Sequence, residues 1–208
     1  MLLAFDTATQ AVTVAVHDGA DVLAERTHVD AMRHGELLAP AIAEVLDRAG
    51  VARTDLTAVA VGVGPGPFTG LRVGLVTART LGAVLDIPVH GVCTLDVLAA
   101  AAEVDGPFVV ATDARRKEVY WASYSDRLTR LAGPHVAKPA DVEVTGPVVG
   151  RGAVLYPDAL VPAAPPEYPS AAVLARLVTR GQANLVAPEP LYLRRPDVAA
   201  SYSRKPVL

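Results

Sequence analysis

The stretch GVGPGPFTGLRVG, residues 62–74, places five glycines and two prolines in thirteen residues of a largely aliphatic chain. The aliphatic segment before it, residues 56–64, predicts a buried strand, and residues 71–85 predict a helix. A strand, a glycine-rich turn and a helix in this order are typical of α/β proteins, in which the start of the helix commonly holds a phosphate group. The stretch therefore predicts an α/β fold and raises the question of nucleotide binding.

The spacing of these glycines matches neither common nucleotide-binding motif. A Walker loop needs a lysine after its last glycine, and Leu71 and Arg72 stand there instead. In the dinucleotide motif the third glycine belongs at position 69, which is Thr69. Two interpretations remain, namely an anion-binding turn and a tight turn that lets the helix pack closely on the sheet.

The segments around this unit predict one mixed sheet with helices on its faces. Three short apolar runs joined by brief turns read as an antiparallel meander. In the first helix, Pro40 either opens the regular helix or kinks a longer one. Thr94 is the expected N-cap of a later helix. The predicted strands lie at 2–7, 11–18, 20–29 and 87–92, and the predicted helices at 33–49 and 94–103.

A strand that ends in aspartate and leads into a hairpin occurs twice. FVVATDARR at 108–116 mirrors LLAFDTATQ at 2–10, and EVYWASYS at 118–125 alternates like the second strand of a hairpin. The second copy starts after residues 103–107 and contains one clear helix, at 170–180. This weak internal repeat predicts two related lobes, the second poorer in helix.

Composition limits the function classes. The 208 residues carry a net charge of −3, which disfavours nucleic-acid binding by this chain alone because phosphate contacts need a basic surface. Cys93 is the single cysteine, which excludes an internal disulfide, fits a reducing cytosol and predicts a buried small residue. The N-terminus lacks the pattern of a signal peptide and no apolar run suggests a membrane span, so we expect a cytoplasmic protein.

The candidate catalytic groups are few. Asp6 and Asp113 end the two hairpin-forming strands, where a carboxylate either coordinates Mg²⁺ beside phosphates or accepts hydrogen bonds within a turn. No two histidines are three or four residues apart, so we expect no helical metal site. Arg115, Arg116 and Lys117 form a compact basic cluster that is either a solvated turn or a functional patch.

The helix after the glycine turn carries a stripe of small residues. Gly74, Ala78 and Gly82 are spaced by four, so they lie along one side of the helix. Such a stripe permits close approach of another backbone. We expect it to face a partner helix, and the alternative is packing on the chain's own sheet.

Five segments, in this order and at these distances, closely resemble the bacterial TsaB (YeaZ) family. The resemblance covers nearly the whole chain, and GPG-x-FTGLR with DARR-x-EVY is a highly specific pair. Pro67 and Ala8 depart from the family pattern, which has serine at both positions. The five segments are LLAFDTAT (2–9), RHGELLAP (33–40), GPGPFTGLRVGL (64–75), ATDARRKEVYWASY (111–124) and PLYLR (190–194).

The resemblance implies an actin-like ATPase and sugar-kinase fold of two RNase H-like lobes, at 1–106 and 107–208. It implies a subunit without catalytic residues, metal or cofactor of its own, in a complex that uses ATP to form N6-threonylcarbamoyladenosine at position 37 of tRNAs reading ANN codons. The implied partners are the catalytic subunit TsaD, the ATPase TsaE and, through the same helices, a second copy. Contact with tRNA would be indirect, and no membrane is involved.

The resemblance also assigns residues. The implied interface comprises Leu37, Leu38, Ala41, Ile42, Val45, Arg72, Gly74, Leu75, Ala78, Arg79 and Gly82. The implied vestigial phosphate loop comprises Asp6, Thr7, Gly64, Gly66, Thr69, Gly70 and Asp113. The competing hypothesis is a small ATPase or phosphotransferase that uses Asp6 and Asp113. A metalloprotease fits least, because histidine ligands are missing.

Overall fold

The computed structural model describes residues 1–194, and within them the chain forms ten strands and five α-helices. In chain order these are β1 (Leu2–Asp6), β2 (Ala11–His17), β3 (Val22–Val29), α1 (His34–Ala49), β4 (Ala58–Gly62), α2 (Phe68–Leu85), β5 (Val89–Val92), α3 (Thr94–Ala101), β6 (Phe108–Asp113), β7 (Val119–Asp126), β8 (Thr129–Ala137), β9 (Val148–Val149), α4 (Arg151–Leu155), β10 (Ala163–Ala164) and α5 (Ala171–Thr179).

The first five strands form one sheet in the order β3-β2-β1-β4-β5. The strands β1, β2 and β3 pair antiparallel, with Phe5 opposite Val14, which confirms the predicted meander. The strands β1, β4 and β5 pair parallel, so α2 is the crossover that connects β4 to β5.

The second sheet repeats this arrangement in the order β10-β9-β6-β7-β8. Its first three strands in the chain also pair antiparallel, and β6, β9 and β10 pair parallel. Phe108 lies opposite Tyr124, as Leu2 lies opposite His17 in the first sheet. The duplicated strand order confirms the predicted α/β fold of two related lobes.

The two faces of the first sheet pack on different helices. Leu3 and Phe5 point to the face covered by α1 and α2, whereas Leu2 and Ala4 point to the face covered by α3 and α5. The helix α5 comes from the second half of the sequence and returns to the first sheet. The division of the chain at residues 106 and 107 stays a prediction.

The helix α3 lies between the two sheets. Leu98 packs with Phe108 of the second sheet, and Val97 packs in the core that includes the first sheet. The hydroxyl of Tyr124 on β7 donates to Asp96 Oδ1 of α3 at 2.8 Å, and Arg130 Nε on β8 lies 3.6 Å from the same oxygen. These contacts join the second lobe to the first.

Several element boundaries differ from the sequence predictions. The helix α2 begins at Phe68, three residues earlier than predicted. The helix α1 runs through Pro40, so this proline does not open it. Thr94 is not the N-cap of α3, because Cys93 occupies that position. The edge strand β8 has no counterpart among the predicted elements.

Cys93 is 5% exposed, which confirms the prediction of a buried small residue. Burial, with a smaller contribution from Asp96, raises the pKa of its thiol to about 12. The thiol is therefore protonated at neutral pH and inert as a nucleophile.

By length and composition alone, α2 could cross a membrane. Its two arginines, Arg72 and Arg79, are exposed, and its buried side packs on β4 and α1. This is the packing of a helix that covers a sheet.

Candidate functional site

Asp6 ends β1 and is completely buried. Its Oδ1 accepts a hydrogen bond from the backbone N–H of Ala8 at 2.7 Å, and its Oδ2 accepts one from the hydroxyl of Thr94 at 2.7 Å. Burial raises the pKa of Asp6 to about 6, although these hydrogen bonds and the nearby His34 oppose the rise. A β-carbon at Gly62 would overlap the carboxylate. Both oxygens are therefore held by protein donors and closed off from solvent.

The hydroxyl of Thr94 connects Asp6 to the glycine turn. It accepts a hydrogen bond from the N–H of Gly64 at 3.2 Å, and the N–H of Thr94 donates to the carbonyl of Gly64 at 2.8 Å. Gly64 has a φ of 93°, which a residue with a side chain rarely adopts. The end of β1, the start of α3 and the turn are thus fixed together.

The other glycines of the turn lie against the chain itself. A β-carbon on Gly66 would overlap the carbonyl of Ala8, and one on Gly70 would lie 2.5 Å from the carbonyl of Thr7. A β-carbon on Gly74 would lie 2.5 Å from Thr7 Oγ1, which donates to the carbonyl of Gly70 at 2.7 Å. The glycines let the turn and α2 approach the β1–β2 turn closely, which favours the tight-turn interpretation.

A cleft between the lobes runs past this turn. Cavities of about 190 and 220 Å³ open on it, and both are lined by Pro67 and Arg115. Gln10 Nε2 lies 3.5 Å from Asp113 Oδ2, and the hydroxyl of Tyr168 lies 3.4 Å from Gln10 Oε1. Side chains of this chain therefore meet across the middle of the cleft.

The predicted phosphate-loop residues do not form one set. Asp6, Thr7 and the loop glycines lie together in the interior, as described above. Thr69 is exposed and lines the larger of the two cavities. Asp113 lies across the cleft and accepts from the N–H of Arg115 at 2.7 Å, which is the turn geometry.

The basic cluster forms a tight turn between β6 and β7. Arg115, Arg116 and Lys117 have φ values of 61°, 55° and 59°, three consecutive residues in the left-handed region that favours glycine. The guanidinium of Arg115 lies 3.5 Å from Asp113 Oδ2, and Arg194 Nη1 donates to the carbonyl of Ala114 at 3.1 Å. All three side chains of the cluster are exposed. The solvated turn and the functional patch both stay predictions.

Among residues 1–194, no three His, Cys, Asp or Glu side chains are grouped so that they could hold a metal ion. His34 is buried at the start of α1, with its Nε2 2.7 Å from the carbonyl of Thr9. It fixes the β1–β2 turn to α1.

The expectation that the small-residue stripe of α2 faces outward is wrong. Ala78 is completely buried, Gly74 packs on Thr7, and a β-carbon on Gly82 would overlap Val89 of β5. The small side chains let α2 lie close to its own sheet. Of the implied interface residues, most are buried in the chain's own core; these are Leu38, Ala41, Ile42, Val45, Gly74, Leu75, Ala78 and Gly82.

The outward side of the two helices carries a different set. Val76 is 62% and Val84 76% exposed on α2, and Arg79 is also exposed. Between α1 and α2 lies a groove of about 580 Å³, lined by Ala39 and Ala43 of α1 and by other mostly apolar residues. The sequence shows the spacing of these exposed residues along each helix, but it does not show which side of α2 faces the sheet.

Arg72 is exposed but already engaged. Its guanidinium lies 3.6 Å from the ring centre of Phe68, and its Nε donates to the hydroxyl of Tyr192 at 3.1 Å. Phe68 and Tyr192 stack with ring centres 5.2 Å apart. The three residues fix the segment at 190–194 to the start of α2.

The two departures from the family pattern lie next to each other. Pro67 precedes α2 and supplies no side-chain cap, and Ala8 is 1% exposed in the β1–β2 turn that faces Gly66. Both residues are apolar at the place where the two turns meet.

The class of the fold is defined by two lobes that share the same five-stranded order and have a cleft between them. It is the actin-like ATPase and sugar-kinase fold, made of two RNase H-like lobes. Residues 21–154 match the family model described as TsaD, tRNA N6-adenosine threonylcarbamoyltransferase.

Individual proteins give the same assignment. The chain is 46% identical to an uncharacterised protein of Mycobacterium leprae over 95% of this chain, and spans 55% of that protein's length. It is 31% identical to the tRNA threonylcarbamoyladenosine biosynthesis protein TsaB of Escherichia coli, over 93% of this chain and 94% of that protein. The solved structure of YeaZ from Pseudomonas aeruginosa is 30% identical, with a TM-score of 0.75 over 92% of this chain and 99% of the other. The chain belongs to the TsaB (YeaZ) family of tRNA threonylcarbamoyladenosine biosynthesis proteins.

Proposed function

We propose that this chain is a non-catalytic, cytoplasmic partner subunit in the formation of N6-threonylcarbamoyladenosine at position 37 of tRNAs that read ANN codons. Its partners would be a TsaD-type catalytic subunit and a TsaE-type ATPase, and the ATP that the complex uses would be hydrolysed by the TsaE-type subunit. The observation that carries the non-catalytic role is the enclosure of Asp6. A carboxylate with both oxygens held by Ala8 and Thr94, and without exposure, is not free to coordinate a nucleotide-bound cation.

The proposed surface for the catalytic subunit is the outward side of α1 and α2. Val76 and Val84 expose apolar side chains there. The groove between the helices is lined mostly by apolar residues and can receive apolar side chains of a partner. The match to the TsaD family model means that the chain and its proposed partner share ancestry across α1 and α2. Related folds can pair through equivalent helices about an approximate two-fold axis, which supports this surface and also a homodimer through the same face.

The competing proposal is an ATPase that uses Asp6 and Asp113. It requires the β1–β2 turn to open, because Asp6 is enclosed and Gln10 already contacts Asp113. We therefore favour the partner role.

Reconstitution with single omissions tests the proposal. The chain, the TsaD-type and TsaE-type proteins of the same organism, the protein that makes threonylcarbamoyl adenylate and an unmodified tRNA transcript are mixed, and the modified nucleoside is quantified by mass spectrometry. We expect no product when this chain is left out, and no ATP turnover by the chain alone. Full product without the chain, or ATP turnover lost in Asp6→Asn, would overturn the proposal.

A further inference from the structure

Three arginines from two distant parts of the sequence line one depression on the surface. Arg127 lies in the turn between β7 and β8, whereas Arg176 and Arg180 lie at the end of α5. The depression has a volume of about 260 Å³, and Leu128, Val173 and Leu177 form its apolar part. We call these six residues the basic depression.

The charges of the basic depression are not neutralised by the chain. Across residues 1–194, none of the three guanidinium groups lies within 4.0 Å of a carboxylate oxygen. The adjacent Asp126 uses Oδ1 to accept from the N–H of Leu128 at 2.9 Å and of Thr129 at 3.0 Å. Three positive charges thus converge in a protein whose net charge is −3.

Helix stabilisation explains only part of this arrangement. Cations in the last turn of a helix interact favourably with the helix dipole, which accounts for Arg176 and Arg180. Arg127 lies in the turn between β7 and β8, so the dipole of α5 does not account for its position at the same depression.

The chemistry of the depression fits an RNA backbone. Arginine presents several N–H donors in a planar fork that matches phosphate oxygens, and its plane stacks on bases. Leu128 is 52% exposed and offers an apolar contact for a ribose or base beside the guanidinium groups. A shallow site with arginines and a small apolar part is suited to a phosphate chain that passes across it.

The position of the depression leaves it free in the proposed assembly. The helices α3 and α5 cover one face of the first sheet, and α1 and α2 cover the opposite face. A catalytic subunit on the outward side of α1 and α2 would therefore not cover Arg176.

We propose that the basic depression binds phosphate groups of the tRNA substrate, so that this chain contacts the RNA directly. The inference rests on the proposed function for the identity of the RNA. The mildly acidic net charge predicts that tRNA contact is left to the partners. We depart from that prediction because three arginines are concentrated at one place on the surface.

The test measures the affinity for an unmodified tRNA transcript as a function of salt. The variant Arg127→Glu/Arg176→Glu/Arg180→Glu is compared with the wild type, both as the complex with the TsaD-type subunit and as the chain alone at low salt. We expect binding to weaken at least about tenfold at low salt, and the salt dependence to fall by about one for each phosphate that the variant no longer binds. The triple lysine variant keeps the charge and should bind within a few-fold of the wild type.

The single variant Arg176→Glu is measured beside the triple variant, and Lys138→Glu is its charge-matched control, because Lys138 is exposed and follows the end of β8 that is remote from Arg127. Lys138→Glu should leave tRNA affinity unchanged, and thermal melting verifies that each variant is folded. Equal tRNA affinity and salt dependence in the triple glutamate variant and the wild type would overturn the inference.

Two further outcomes would assign the surface to a different partner and overturn the inference. In one, the triple glutamate variant loses the wild type's binding to phosphatidylglycerol vesicles and keeps its tRNA affinity. In the other, the variant no longer binds the TsaD-type subunit, and the tRNA affinity of the chain alone is unchanged. If the wild-type complex does not form at all, the proposed function fails, while the measurement on the chain alone still decides the inference.

Discussion

The hydroxyl of Thr94 donates to Asp6 Oδ2 at 2.7 Å, across 88 residues of sequence and inside the core. Here the start of α3 supplies a donor to that carboxylate. The contact changes a potential functional group into a structural one and links the glycine turn to the first sheet.

Replacing Thr94 tests the structural weight of this contact. Thr94→Val removes the donor to Asp6 and leaves the N–H of Gly64 without its acceptor, so we expect the free energy of unfolding to fall by about 2–3 kcal/mol. Thr94→Ser keeps the hydroxyl and should lose about 1 kcal/mol. Urea unfolding of both variants checks this, and equal losses would mean that the hydroxyl is not the stabilising group.

The raised pKa of Asp6 makes stability depend on pH. In the folded chain Asp6 titrates at about 6, whereas its ordinary value is 3.8. Between these values the folded state holds a proton that the unfolded state has released, so stability falls as pH rises through this window. The difference corresponds to about 3 kcal/mol, a loss that is absent below pH 4 and complete above about pH 7.

Asp6→Asn isolates that contribution, because asparagine does not titrate. We expect the free energy of unfolding of the wild type to decline relative to this variant between pH 4 and pH 7. Denaturant titrations at a series of pH values measure it. Parallel pH profiles for the two proteins would show that Asp6 keeps its ordinary pKa.

The inward stripe of α2 predicts an effect on folding. Ala78→Leu inserts a larger side chain where α2 meets the sheet, so we expect a loss of about 1–3 kcal/mol in the stability of the chain itself. Ala83→Leu is the matched control on the exposed side of the same helix and should change stability by less than about 0.5 kcal/mol. Thermal melts distinguish the two variants. An unchanged melting temperature for Ala78→Leu would mean that the stripe of small residues faces outward, toward a partner helix.

The left-handed turn at 115–117 predicts a stabilising substitution. Lys117 has a φ of 59°, and glycine adopts this conformation at little cost. Lys117→Gly should raise the free energy of unfolding by about 1 kcal/mol, whereas Lys117→Ala removes the charge and keeps the strain. If alanine stabilises as much as glycine, the relevant effect is charge and the backbone is relaxed.

The repeated pattern of strand, aspartate and hairpin was sufficient to predict the two-lobed fold, because apolar periodicity and turn residues act locally. The enclosure of Asp6 was not predictable, since Thr94 read as a helix cap and the contact joins residues far apart in sequence. The orientation of α2 failed for a related reason. Small residues at every fourth position suit close packing on a partner or on the chain's own sheet equally well.

The basic depression could not be predicted from the sequence either. Arg127 and Arg176 are 49 positions apart and belong to different elements, so no local run of charge marks them. Conversely, the three basic residues at 115–117 are consecutive, so the sequence alone identifies the cluster.

The most direct measurement of the central claim is the yield of N6-threonylcarbamoyladenosine when the reconstituted system contains Val76→Glu. Val76 is 62% exposed on the proposed partner surface, and a charge there should block association without unfolding the chain. Val154→Glu is the matched control, because Val154 is 51% exposed on α4 of the other lobe. With the subunits held below the Kd of the wild-type complex and the reaction stopped early, we predict that Val76→Glu lowers the yield at least about tenfold, as a loss of 1.4 kcal/mol in association would, and that Val154→Glu leaves it unchanged. Full yield with Val76→Glu would contradict the account.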